Sequence, residues 1–137
     1  MNREAIYSAL FALVSAAPGF VTMSRKLRHW DDVGPSELPA LFLTQTPQSP
    51  EVRTGQPNRW YLNAKLWIYV STDGTATPGT VLNPLVDAID TALSNFPIVQ
   101  TLGGLVQWAR IEGECETSEG TLGNREVVTI PIRMLVV

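Results

Sequence analysis

Cysteine occurs once in these 137 residues, at Cys115, and histidine once, at His29. A lone cysteine excludes an intramolecular disulfide framework and a cysteine-built zinc site, and it fits a reducing compartment. Charge is scarce as well: 17% of positions are Asp, Glu, Lys or Arg, against about 25% in typical soluble domains. No run approaches the roughly 20 apolar residues that a membrane-spanning helix needs. The N-terminal apolar stretch to Ala17 is broken by Tyr7, Ser8 and Ser15 and has Glu4 near its start. It lacks the basic start, unbroken apolar block and small-residue cleavage site of a secretory signal, so a soluble intracellular product is expected. No repeat of fixed period is present, which sets aside solenoids and propellers.

What the chain does have is apolar substance. Hydrophobic residues make up 45% of it, including four tryptophans, which excludes intrinsic disorder. The length suits one domain, residues 1–137, and a chain of this size buries roughly 68% of its unfolded surface.

Ile6, Leu10, Leu13 and Val14 share one helical face, and Pro18-Gly19 supplies a stop, so a helix is expected over 3–16. A short strand is expected near 25–30. Ala40 to Thr44, bounded by Pro39 and Pro47, reads as a buried strand. Residues 46–58, with three prolines and a glycine, read as a long exposed loop of the kind kept for function. A long alternating strand follows. Trp60, Leu62, Ala64, Leu66, Ile68 and Val70 point one way, and Arg59, Tyr61, Asn63, Lys65, Trp67 and Tyr69 the other.

Asp73 to Gly79 is rich in turn formers. Asn83-Pro84 suits an N-cap with proline at the first helical position. Leu85, Val86, Ile89, Ala92, Leu93 and Phe96 then form a helical face that Pro97 closes. Leu102-Gly103-Gly104 turns the chain into a strand from Leu105 to Glu116, and Thr117 to Asn124 joins it as a hairpin to a last strand, Val127–Val136. Val128, Ile130, Ile132, Met134 and Val136 share a face there, and Pro131 points to an edge strand or a bulge. The expected fold is α+β, with two main helices on a mostly antiparallel sheet of about five strands.

Catalytic candidates are few. His29 lies beside Asp31 without partners that would make it a base. Cys115 sits among Glu112, Glu114 and Glu116, whose charges oppose a thiolate, and reads as a core filler. Gly103-Gly104 lacks the lysine and hydroxyl of a phosphate loop. The three glutamates at alternate positions of one strand form a line rather than a cation cage. No cofactor, metal or catalytic residue is assigned, and no enzyme activity is expected.

The scarce charges are segregated. Residues 1–70 carry seven basic and five acidic side chains, a net +2, while residues 71–137 carry three and eight, a net −5. The cluster Arg25, Lys26 and Arg28 is too small for a nucleic-acid surface on a chain of net charge −3. A basic early strip and an acidic late one suit head-to-tail contact between copies, since heterologous interfaces pair unlike patches and close into rings.

Several segments resemble the tail terminator proteins of long-tailed bacteriophages, the minor tail protein U type. They are Glu4 to Leu13, Ser24 to Trp30, Leu38 to Phe42, Leu82 to Leu93, Gln100 to Val106 with Arg110 to Gly113, and Val128 to Ile132. They span nearly the whole chain in order, and none carries catalytic chemistry. The resemblance implies an α+β virion subunit, made in the host cytoplasm, that forms a hexameric ring on the head-proximal end of the tail. It implies as partners the major tail tube protein and the head–tail connector proteins, with DNA passing through the lumen without specific binding and no membrane contact. On this reading Arg25, Lys26 and Arg28 of one subunit approach Glu112, Glu114 and Glu116 of the next, or those glutamates line the lumen and repel phosphates. The 47–57 loop, with Glu51 and Arg53, reaches toward the tube or the connector. The alternatives are a neck or head-completion protein of the same joint, and a small enzyme or ligand-binding module with a pocket near Trp67, Tyr69 and Trp108.

Overall fold

A computed structural model describes residues 1–72 and 76–137, with the backbone alone for 120–122. The first part of the expected turn-rich stretch, Asp73–Thr75, lies outside the described residues. The chain forms helix α1 (Arg3–Ser15), strands β1 (Thr22–Ser24), β2 (Ala40–Glu51) and β3 (Arg59–Ser71), helix α2 (Pro78–Leu93), and strands β4 (Trp108–Ile111), β5 (Glu116–Leu122) and β6 (Arg125–Val136). The sheet runs β1-β2-β3-β6-β4, and β5 pairs with the other half of the β6 edge that β4 uses. Among the described residues only the β1–β2 pairing is parallel. The α+β expectation holds, with six strands rather than about five.

Both helices cover one face of the sheet. Asn2 caps α1, its side-chain oxygen accepting the Ala5 N–H at 3.1 Å, and Ile6, Tyr7, Leu10 and Val14 are buried. They meet Leu41, Leu43, Leu62, Leu66, Ile68, Ile130, Ile132 and Met134, the inward residues of the three long strands. The Tyr7 hydroxyl donates to the Asn63 carbonyl at 2.9 Å, which satisfies the one polar atom this face of α1 carries into the core. Four residues past the end of α1, Gly19 turns the chain at φ +104°, a left-handed conformation that favours glycine, and a Cβ there would come within 2.8 Å of Leu85 Cδ2 on α2.

Five local expectations change. The strand expected at 25–30 lies earlier, at 22–24, because Arg25 and Arg28 turn away to bind carboxylates and Trp30–Asp32 forms a 3-10 turn. His29 caps that turn, its Nδ1 accepting the Asp31 N–H at 3.2 Å. The strand at 40–44 continues through Pro47 and Pro50 to Glu51, with a bulge between Thr46 and Ser49. β1 reaches only to Phe42, so beyond it β2 is an edge strand, where proline costs no ladder bond. The exposed loop therefore shrinks to 52–58.

Helix α2 begins at Pro78, and Pro84 lies inside it. Leu82 is buried in phase with Leu85, Ile89 and Leu93, and burying such a side chain, at about 1.5–3 kcal/mol, offsets the bond that Pro84 removes. The same helix ends at Leu93, with Ser94 extended at ψ 129°. Phe96, expected on its apolar face, is instead 92% exposed, in line with the disfavoured helical geometry of a residue before proline. Finally, Pro131 sits on no edge: β6 is flanked by β3 on one side and by β5 and β4 on the other. The proline falls in the gap between those two partners, where its carbonyl accepts the Glu112 N–H at 3.2 Å and no donor is needed in return.

Candidate assembly surfaces

The sheet face away from the helices is only partly covered. At one end Val33, Ala40, Phe42, Tyr69 and Val127 form a small second core beneath Trp30, Leu38 and Trp67. The Tyr69 hydroxyl donates to the Arg28 carbonyl at 2.8 Å, and burial pushes its pKa up. Trp67 Nε1 donates to Thr44 Oγ1 at 3.0 Å. Trp30, Lys65, Trp67, Glu116 and Thr129 border an open cleft of about 240 Å³, smaller than most small-molecule sites, at roughly 300–1,000 Å³. Trp108, placed near Trp67 and Tyr69 by the ligand-pocket alternative, does not line it.

At the other end of the same face, register brings together side chains that are far apart in sequence. Trp108 lies opposite Leu135, and Arg110 opposite Arg133, while Tyr61 also pairs with Leu135. The Arg110 guanidinium stands 3.8 Å from the Trp108 ring centre and that of Arg133 4.1 Å from Tyr61. The two rings are 6.4 Å apart. Glu112 accepts from Arg110 at 3.0 Å and from Arg133 at 3.5 Å. Two cations stacked on two rings and joined by one carboxylate form a rigid, polar patch of the sort that suits a protein contact.

The two edges of the sheet differ from each other. Beside β1, Val21 is 60%, Met23 41% and Leu27 40% exposed. Beside β4, the 94–107 connection is held against the sheet by the Ala109 N–H donating to the Gln100 carbonyl at 2.9 Å. It exposes Phe96, Ile98 (70%), Val99 (55%) and Leu105 (41%).

The charged candidates are distributed differently from their expected arrangement. Arg25 is hydrogen-bonded to Glu4 and Ser8 of α1. Arg28 grips Glu37 with two bonds of 2.7 and 3.1 Å, and the same carboxylate accepts the Gly34 N–H at 2.8 Å. Lys26 is exposed and has no ion-pair partner among the described residues. The glutamates form no strip. Glu112 ends in the arginine patch, Glu114 lies in the turn after β4, and Glu116 opens β5. Gly113, at φ +117° with Pro131 Cγ 3.1 Å from a Cβ built on it, breaks the single strand expected there. Cys115 is correspondingly exposed rather than a core filler, and its thiol is pushed up by partial desolvation and by Asp90. Glu51 faces Arg59 across the hairpin at 4.0 Å, and Arg53 folds back, donating to the Pro57 carbonyl at 2.7 and 3.1 Å.

The Arg28 hydrogen bonds, with the Gly34 amide, hold the Glu37 carboxyl below its usual range. A carboxyl depressed on folding stabilises above its unfolded pKa, and that contribution is lost as pH falls through the folded value. Thermal unfolding followed from neutral pH into the acid range should therefore show a loss that Glu37→Gln removes in part. Parallel curves for the two proteins would contradict this.

Among the described residues no group of three or more His, Cys, Asp and Glu side chains could hold a metal ion, and no helix is long and apolar enough to cross a membrane. The arginine patch and the exposed 94–107 connection escaped sequence reasoning: the first exists only through strand register, and the second read as the end of a helix face.

No protein-family model matches the chain, and no curated protein sequence matches it. Solved structures of similar shape include the following two. One is a chain from the virion of a native gene transfer agent particle, 14% identical over 98% of this chain and 92% of that one, with a TM-score of 0.49. The other, a protein carrying no functional description, is 12% identical over 98% of this chain and 96% of that one, with a TM-score of 0.57, and shares the fold.

Proposed function

We propose that this chain is a structural subunit of a phage virion that assembles as a hexameric ring on the end of the tail tube. There it stops polymerisation of the tube protein and presents a surface to the head connector. The reading draws on the sequence resemblance, whose segments supply α1, the start of β2, α2, β4 and the middle of β6. The observation that carries it is the presence of unlike apolar surfaces at opposite edges of one sheet, Val21, Met23 and Leu27 on one side and Phe96, Ile98 and Val99 on the other. Exposed patches of this kind mark contact sites, and an unlike pair at opposite edges is what a head-to-tail ring requires.

The half-covered sheet face and the 52–58 tip, with Arg53 in it and Glu51 just before it, then remain for the tube or the connector. No catalytic centre or cofactor enters this role. The test is tail assembly in cells that lack this chain: tubes of uncontrolled length are expected, with uniform length restored when it is supplied. Uniform tails in its absence contradict the proposal. A ring found on the connector in place of the tube assigns the chain to the neck instead.

A further inference from the structure

The ring contact itself can be located, on the premise that the chain assembles with copies of itself. Arg25 and Arg28, candidates for that contact by sequence, are bound to Glu4 and Glu37 of their own chain, and Glu112 is held between two arginines. These charges are already satisfied, so they offer little to a neighbour. Besides Met1, Val52 and Val137, the large exposed apolar side chains of the described residues lie at the two sheet edges. On the β1 side Val21, Met23 and Leu27 are exposed, and so is Lys26, two residues beyond the end of β1. On the β4 side Phe96, Ile98 and Val99 follow the end of α2, whose exposed Asp87 and Asp90 lie one turn apart. Asp90 borders the groove between α2 and β4 together with Leu93, Ser94, Ile111 and Arg110, whose guanidinium is paired with Glu112.

We propose that the β1 edge of one copy docks against the 94–107 connection and the C-terminal turns of α2 of the next. The occupant of each edge is thus a second copy of this chain. Apolar residues meet apolar residues, and Lys26 meets the Asp87–Asp90 pair. The apolar part supplies most of the attraction, while the charges set which edge accepts which, because Lys26 would face Lys26 and Asp90 would face Asp90 if like edges met. The contact is heterologous, so every copy uses both edges, and the assembly is a closed ring when the rotation from copy to copy completes a full turn.

The test uses the purified full-length chain with Phe96→Asp and Val21→Asp, two substitutions at exposed positions that leave the interior untouched. Wild type should sediment as a multi-subunit species, and each variant alone as a monomer with an unchanged circular dichroism spectrum. An equimolar mixture should give a 1:1 dimer and nothing larger, because one intact edge of each kind remains. A monomeric wild type at every concentration, a variant that keeps the wild-type mass, dimers of either variant alone, or a mixture that stays monomeric would each overturn the proposal. Should either variant fail to fold, Ile98→Asp and Leu27→Asp replace them with the same expected outcomes. Tail length in complementing cells is read separately. Normal tails with variants that are monomeric in solution would leave the edge contact standing and remove the capping role.

Discussion

Leu10→Ala should lower the unfolding free energy by about 2–5 kcal/mol, the usual cost of truncating a buried leucine, whereas Phe96→Ala should change it by no more than about 0.5 kcal/mol. Phenylalanine is the larger side chain, so composition alone predicts the reverse order. The difference lies in position. Leu10 is fully buried between α1 and the sheet, and Phe96 is 92% exposed beyond the end of α2. Urea unfolding at a protein concentration where the chain is monomeric makes the comparison. Raising the concentration adds a second expectation: association stabilises the native state by mass action, so the wild-type midpoint should climb with concentration and the Phe96→Ala midpoint should not. A loss of 2 kcal/mol or more at Phe96 in the dilute monomer would mean that the ring packs within its own chain, and the β4-side patch would lose its anchor.

Replacing residues 52–58 with Asn-Gly should leave the number of subunits per assembly and the folding unchanged and abolish control of tail length. Asn-Gly favours the tight turn that matches the twist of two antiparallel strands, and the cross-strand pair Glu51–Arg59 is already in register to receive it. The native tip is closed on itself by Arg53 and the Pro57 carbonyl, so its removal disturbs little of the core, and shortening a loop changes closure entropy by only about 1 kcal/mol. Tail tubes measured by electron microscopy in complementing cells decide the matter. Tails of normal length with the shortened tip would show that another surface meets the tube, with the Tyr61–Trp108 face and its two arginines next in line.

The covered face of the sheet was legible in the sequence. Period-two alternation from Trp60 to Val70 and from Val128 to Val136, and period-3.6 spacing in α1, are direct images of burial on one side. What could not be read from local pattern was which strand lies beside which. Pro131 signalled an edge because a proline cannot complete a ladder on both sides, yet the fold meets that constraint by changing partner at that residue, from β5 to β4. Glu112, Glu114 and Glu116 looked like one face because alternation was extrapolated across Gly113, where the backbone leaves the extended region. Asn83-Pro84 carried a strong helix-start signal, and the buried stripe extending back to Leu82 overrode it. The charge segregation along the chain singled out six residues, and three of them are engaged in ion pairs within the chain. Contacts far apart in sequence, such as Arg25 with Glu4 and Arg133 with Glu112, decide which charges a neighbour can use.

On the proposed reading, this chain closes into a ring at the end of a tail tube. Negative-stain microscopy of the purified protein mixed with tail tubes tests it most directly, since one image reports both ring order and binding position. Six-fold rings seated at one end of each tube are the expected result. Tubes left bare, or decorated along their length by single subunits, would contradict it.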